Sequence, residues 1–178
     1  MKRIVIFAIV CLLVLPATAM SQTRSRRTSK RGTASSRTRK AAAEQAASEA
    51  RTEGASRVAI QIKNLTAFLY LLGGVAKGIE QTDEAARRNE ASPAAIEQNN
   101  KYKATVKSSI QNVREGMDGL ETYFRSTPEL EQYYLKLAGS ESGAATAEDQ
   151  AAAGQFDQAG RTLLGVVNRL TDVLLAMR

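Results

Sequence analysis

A chain of 178 residues with 25 Lys or Arg, 18 Asp or Glu, a formal net charge of +7, one cysteine and no histidine excludes much chemistry at once. Without histidine there is no Ser-His-Asp or Cys-His nucleophilic site, no CxxCH haem attachment, no Glu-x-x-His di-iron site and no usual zinc ligand set. Any catalysis would fall to carboxylates, Lys, Tyr or Ser, and no pattern gathers these. The sequence is therefore read as a non-enzyme with neither cofactor nor metal.

Residues 1–19, MKRIVIFAIVCLLVLPATA, follow the order of a secretory signal: basic Lys2 and Arg3, an apolar run from Ile4 to Leu15, then small residues ending Ala17-Thr18-Ala19. Cleavage is expected after Ala19, giving a periplasmic or secreted protein. The apolar run is well short of the about 20 residues that span a bilayer. Cys11 would leave with the signal, and Ile9 and Val10 stand where lipid attachment needs small residues. Arg24, Arg26 and Arg27 pull the other way, because basic residues behind an apolar segment hold that flank in the cytoplasm. Translation from Met20 would give a cytoplasmic protein with a basic tail.

Residues 20–40 carry Arg24, Arg26, Arg27, Lys30, Arg31, Arg37, Arg39 and Lys40 and no acid, whereas residues 41–178 hold 15 basic against 18 acidic side chains. The basicity thus belongs to the arm and not to the fold. With no large apolar side chain, the arm cannot offset its ordering entropy and is expected to be disordered. It would be drawn to any polyanion with an affinity that falls steeply with salt. No aromatic residue interleaves the charges, so base stacking has nothing to work with. Residues 41–55 have helix-forming composition without an apolar face and are expected to be a frayed entry.

From Val58 the pattern sharpens. Val58, Ile62, Leu65, Leu69, Leu72, Ala76 and Ile79 recur at intervals of 4, 3, 4, 3, 4 and 3, one helical seam, and Phe68, Leu71 and Val75 add a second apolar face. Within it, LLGGVAKGIE (71–80) sets Lys77 among glycines, but a phosphate-binding loop needs Lys after the last glycine, then Ser or Thr, and a preceding strand. The seam runs through unbroken, so the segment is helical. Its glycines cost up to about 1 kcal/mol each relative to alanine, and Gly74 and Gly78 are expected to let a neighbouring helix approach closely. Glu80, Asp83 and Glu84 share a face that would suit a hard cation, but Arg87 and Arg88 lie at pairing distance and surface charge is the preferred reading.

Ser92-Pro93 reads as an N-cap and first-turn pair. The helix it opens has the seam Val106, Ile110, Val113, Met117, Leu120 and Phe124, and stops before Thr127-Pro128, which is expected to repeat the cap. A short helix follows with Leu130, Tyr133, Tyr134 and Leu137 on one side, closed by Gly139. With Tyr123 and Phe124, its tyrosines read as the packing of a short helix on a long one. After a loop over 140–143, Thr146 to Asp149 resembles a capping box for a last long helix with the seam Phe156, Ala159, Leu163, Val167, Leu170, Leu174 and Met177.

The expected architecture is all-α: an antiparallel bundle of three long helices and one short one over 41–178, behind the arm and the signal. The expected role is an exported interaction or structural module of the cell envelope. Its partners would be an anionic envelope polymer or lipid surface bound through the arm, and a protein partner or second copy bound through the helix seams. The alternative is a nucleic-acid-binding protein in which the arm holds phosphates and the bundle dimerises.

Overall fold

A computed structural model describes residues 31–178, with side chains from residue 36 onward. The expected signal over 1–19 and the arm up to Lys30 lie outside the described residues. What is described is helical, with no strand among these residues. The elements are α1 (Arg31–Arg87), α2 (Pro93–Ser126), a 3-10 turn (Pro128–Leu130), α3 (Glu131–Leu137), α4 (Ser140–Ala152) and α5 (Phe156–Ala176).

Helix α1 runs for 57 residues. It takes in Arg31 to Lys40, expected to be disordered, and residues 41–55, expected to fray. Helix formation is costly to nucleate and cheap to propagate, so a packed segment extends into neighbouring Ala, Arg, Lys, Glu and Gln, all good helix formers. Packing begins near Ala50 and Gly54. Of the first seam, Val58, Leu65, Leu72, Ala76 and Ile79 are buried, while Ile62 and Leu69 are half-buried at its margin.

Helix α2 starts where the Ser92-Pro93 pair places it. The Ser92 hydroxyl accepts from the amide of Ala95 at 3.2 Å, satisfying one of the amides that a helix start leaves free. Thr127 does not repeat this cap: its hydroxyl donates to the carbonyl of Tyr123 at 2.8 Å, closing α2 rather than opening the next element. The α2 seam is buried at every position except half-buried Val113.

The last helix is two helices. Ala153 to Gln155 breaks it, with Gly154 at φ 81°, a left-handed conformation that glycine adopts without steric cost. Gly139, at φ 89°, makes the other sharp corner, between α3 and α4. The expected loop at 140–143 is the first turn of α4, and Thr146 sits inside that helix, donating to the carbonyl of Ser142 at 2.9 Å instead of capping. This second helix also turns α5. Val166 and Val173 are buried where Val167 and Leu174 were expected and are only half-buried, because α4 packs on that side of α5 and brings Gly143 against Val166.

One core joins the elements. α1 packs on α2 and α5, α4 packs on α2 and α5, and α3 sits against α2 and α5. Phe124, Leu130, Leu137, Phe156, Leu163 and Leu170 are fully buried within it.

Candidate functional site

Of the basic residues that the sequence singles out, Arg24, Arg26, Arg27 and Lys30 lie outside the described residues and Arg31 opens α1. Arg37, Arg39 and Lys40 are exposed, as is every other side chain from 36 to 46. Lys40 reaches Glu44 at 3.8 Å, with the two side chains 80% and 70% exposed. A pair so open to water contributes little and leaves the lysine accessible. The start of α1 is thus a solvated helical extension carrying basic residues ahead of the packed region.

Gly74 and Gly78 do not bring helices together within this chain. A Cβ built at either meets nothing within 4 Å. The close approaches are at other glycines: a Cβ at Gly54 would lie 2.9 Å from Met177 Cε, one at Gly143 2.8 Å from Val166 Cγ2, and one at Gly160 3.3 Å from Leu72 Cδ2. Gly54 and Gly160 face the seams that pack; Gly74 and Gly78 lie on the outer side of α1, near Tyr70 and Leu71, which are 85% and 64% exposed, and line an open groove of about 390 Å³ with Ala95, Gln98 and Tyr102 of α2.

The carboxylates at the end of α1 are used in packing and surface pairing. Asp83 Oδ1 accepts from Asn99 Nδ2 at 2.7 Å and from Lys103 Nζ at 2.6 Å, which ties α1 to α2 across the turn. Glu84 meets Arg87 at 3.6 Å and Arg88 at 3.7 Å, the surface pairing the sequence suggests. No group of three or more metal-ligating side chains comes together among the described residues. The aromatic corner is likewise a packing site: Tyr123 and Phe124 meet edge to face with ring centres 6.0 Å apart, and Arg57 lies 4.0 Å above the Tyr123 ring. A guanidinium there is attracted by the ring quadrupole.

An open groove of about 480 Å³ runs between α1 and α5. Its floor is apolar, from Leu69, Leu72, Ala76 and Phe156, and Lys77, Glu80, Asp157 and Arg161 stand at the rim. Arg161 and Asp157 pair with each other at 2.8 Å.

Sequence reasoning missed the links between elements. Asp83 lies five residues before the turn at 88–92 and Lys103 eleven residues after it, so equal spacing about the turn would not have found the pair. Arg114, which donates to Glu141 at 2.9 Å and Glu148 at 3.1 Å, was hidden because α4 was not foreseen as a separate helix beginning at Ser140. These two carboxylates, Glu141 first, hold the Arg114 guanidinium above its usual pKa.

No family model, curated protein or solved structure matches the chain.

Proposed function

We propose that this chain is an exported, non-enzymatic interaction or structural module of the cell envelope, held to an anionic polymer or lipid surface by its basic N-terminal stretch. The observation that carries this reading is the extension of α1: Arg37, Arg39 and Lys40 project from a helix whose side chains are exposed from 36 to 46, beyond the packed region. Cations on a helix joined rigidly to a folded body both attract a polyanion and fix how the body stands against it. The order of residues 1–19 supports export.

The finer architecture of this module is an antiparallel bundle. Support comes from pairs whose numbers rise along one helix as they fall along the other: Arg57 with Tyr123, Gln61 with Gly116 and Asp83 with Lys103 for α1 and α2. Gly143 with Val166 and Gln150 with Thr162 do the same for α4 and α5.

The test is to fractionate the native cells and record the intact mass of the recovered protein. The expected result is a chain beginning at or just after Met20, found with the envelope and released by high salt. A form with Arg24, Arg26, Arg27, Lys30, Arg37 and Arg39 changed to Gln should move to the soluble extracytoplasmic fraction. Recovery from the cytoplasm with the same start would overturn the proposal, and salt-sensitive DNA retention by that material would put the nucleic-acid reading in its place.

A further inference from the structure

The outer face of α1 has no partner in this chain. Ile60, Tyr70 and Leu71 are 51%, 85% and 64% exposed. The most apolar 18-residue window of the helix reaches a mean hydropathy of 1.4, yet only 17% of it is buried. A core helix of a soluble protein would hide such a stretch; this one presents it.

The face has a repeat of its own. Ile60, Ala67, Leu71, Gly74, Gly78 and Ala85 are separated by 7, 4, 3, 4 and 7, so they form an uncharged stripe with the seven-residue period of paired helices. Along one edge of the stripe stand Lys63, Tyr70, Lys77 and Glu84, again seven apart. The edge is basic at one end and acidic at the other. Lys63 and Lys77 form no ion pair among the described residues, and Glu84 holds only long, exposed contacts to Arg87 and Arg88.

We infer that two copies of this chain pair antiparallel through the outer face of α1. Charge complementarity selects both the occupant and its direction. With Leu71 of one copy opposite Gly74 of the other, Lys63 falls beside Glu84 of the second copy, and Tyr70 falls beside its Lys77. Each pairing occurs twice, as two-fold symmetry requires. A parallel pair would instead set Lys63 beside Phe68 and Lys77 beside Thr82, with no acid for either, and a uniformly anionic surface would repel Glu84. The same register sets large against small: Leu71 over Gly74, Ile60 over Ala85, Ala67 over Gly78. The glycines that meet nothing inside the chain thereby admit the second copy's side chains, which is the use such close-approach positions have between helices.

Sedimentation of the full chain across a concentration series tests this. A dimer is expected to be saturated by about 100 µM, well above a Kd of about 1 µM for a modest specific interface. Leu71→Glu should leave a monomer with unchanged helicity and thermal midpoint at dilution. Lys63→Glu should weaken the dimer about tenfold, and adding Glu84→Lys in the same chain should restore it, which no general loss of apolar surface would do. A chain that stays monomeric throughout overturns the inference, as does a dimer indifferent to Leu71→Glu. Monomers that bind anionic vesicles through Leu71 would overturn it too, and make the face a lipid surface.

Discussion

Gly54 and Gly74 lie on the same helix, about 30 Å apart, and meet opposite surroundings. At Gly54 a Cβ would come within 2.9 Å of Met177, 3.0 Å of Leu130 and 3.3 Å of Phe124; at Gly74 it would meet nothing within 4 Å. Both glycines weaken the helix by the same backbone entropy. At Gly54 that loss is offset by the close seating of α1 against the chain's last residues and the corner after α2. At Gly74 nothing inside the chain offsets it. A glycine in a helix therefore has no fixed meaning; its meaning is set by what stands opposite.

The largest effect should come from filling the closed site. Gly54→Leu would drive four extra carbons into Met177, Leu130 and Phe124, all buried or nearly so. Overpacking of this kind costs about 1–3 kcal/mol, more than the helix-propensity gain of at most about 1 kcal/mol. Denaturant unfolding should show a lower midpoint with an unchanged slope. A midpoint equal to or above the parent's would mean that this end of the bundle is looser than its contacts indicate.

Opening the comparison from the other side, Gly74→Ala should raise the stability of the dilute chain by about 0.5–1 kcal/mol, because the new methyl meets nothing and the unfolded chain loses freedom. Sedimentation of the same variant at high concentration should show weaker pairing, since the methyl stands where Leu71 of a second copy must fit. These opposed signs separate a glycine kept for a partner from one merely tolerated. A rise in stability with no change in self-association would favour the second.

How much of this was readable in advance follows from the same contrast. Seams at helical spacing named the buried apolar side chains of α1 and α2, with Ile62, Leu69 and Val113 only half-buried and buried Asn99 outside them, because burial imposes its period on the sequence whichever neighbour provides it. Ser92 and Gly139 were readable because caps and corners act over a few residues. Neighbour identity was not. Nothing local distinguishes Val166 from Val167 until α4 is known to lie beside α5, and nothing in Ala153-Gly154-Gln155 announces a break strongly enough to override the apolar period on either side. The extension of α1 was misjudged for a related reason: residues 31–40 were weighed by what they bury, which is little, whereas their helicity is propagated from residues further along. Gly74 and Gly78 were singled out as close-packing positions on the second face of α1, and within this chain a Cβ at either meets nothing within 4 Å.

The smallest effect belongs to Arg114, which joins α2 to α4 by ion pairs to Glu141 and Glu148 and is a second, purely polar contrast to the packed end at Gly54. Its side chain is 47% exposed, so solvent screens most of the attraction. The two carboxylates raise the pKa of the guanidinium, Glu141 most. A raised base contributes stability at every pH below its ordinary value and loses it only as pH rises through the alkaline extreme, so its own titration adds no pH dependence between about pH 5 and about pH 9. Salt is the lever instead. Arg114→Ala should lower the thermal midpoint slightly in dilute buffer, and the difference from the parent should close near 1 M salt, where charges are screened within about 3 Å. A deficit that persists undiminished at high salt would mean that Arg114 holds α4 through the packing of its aliphatic stem and not through its charge.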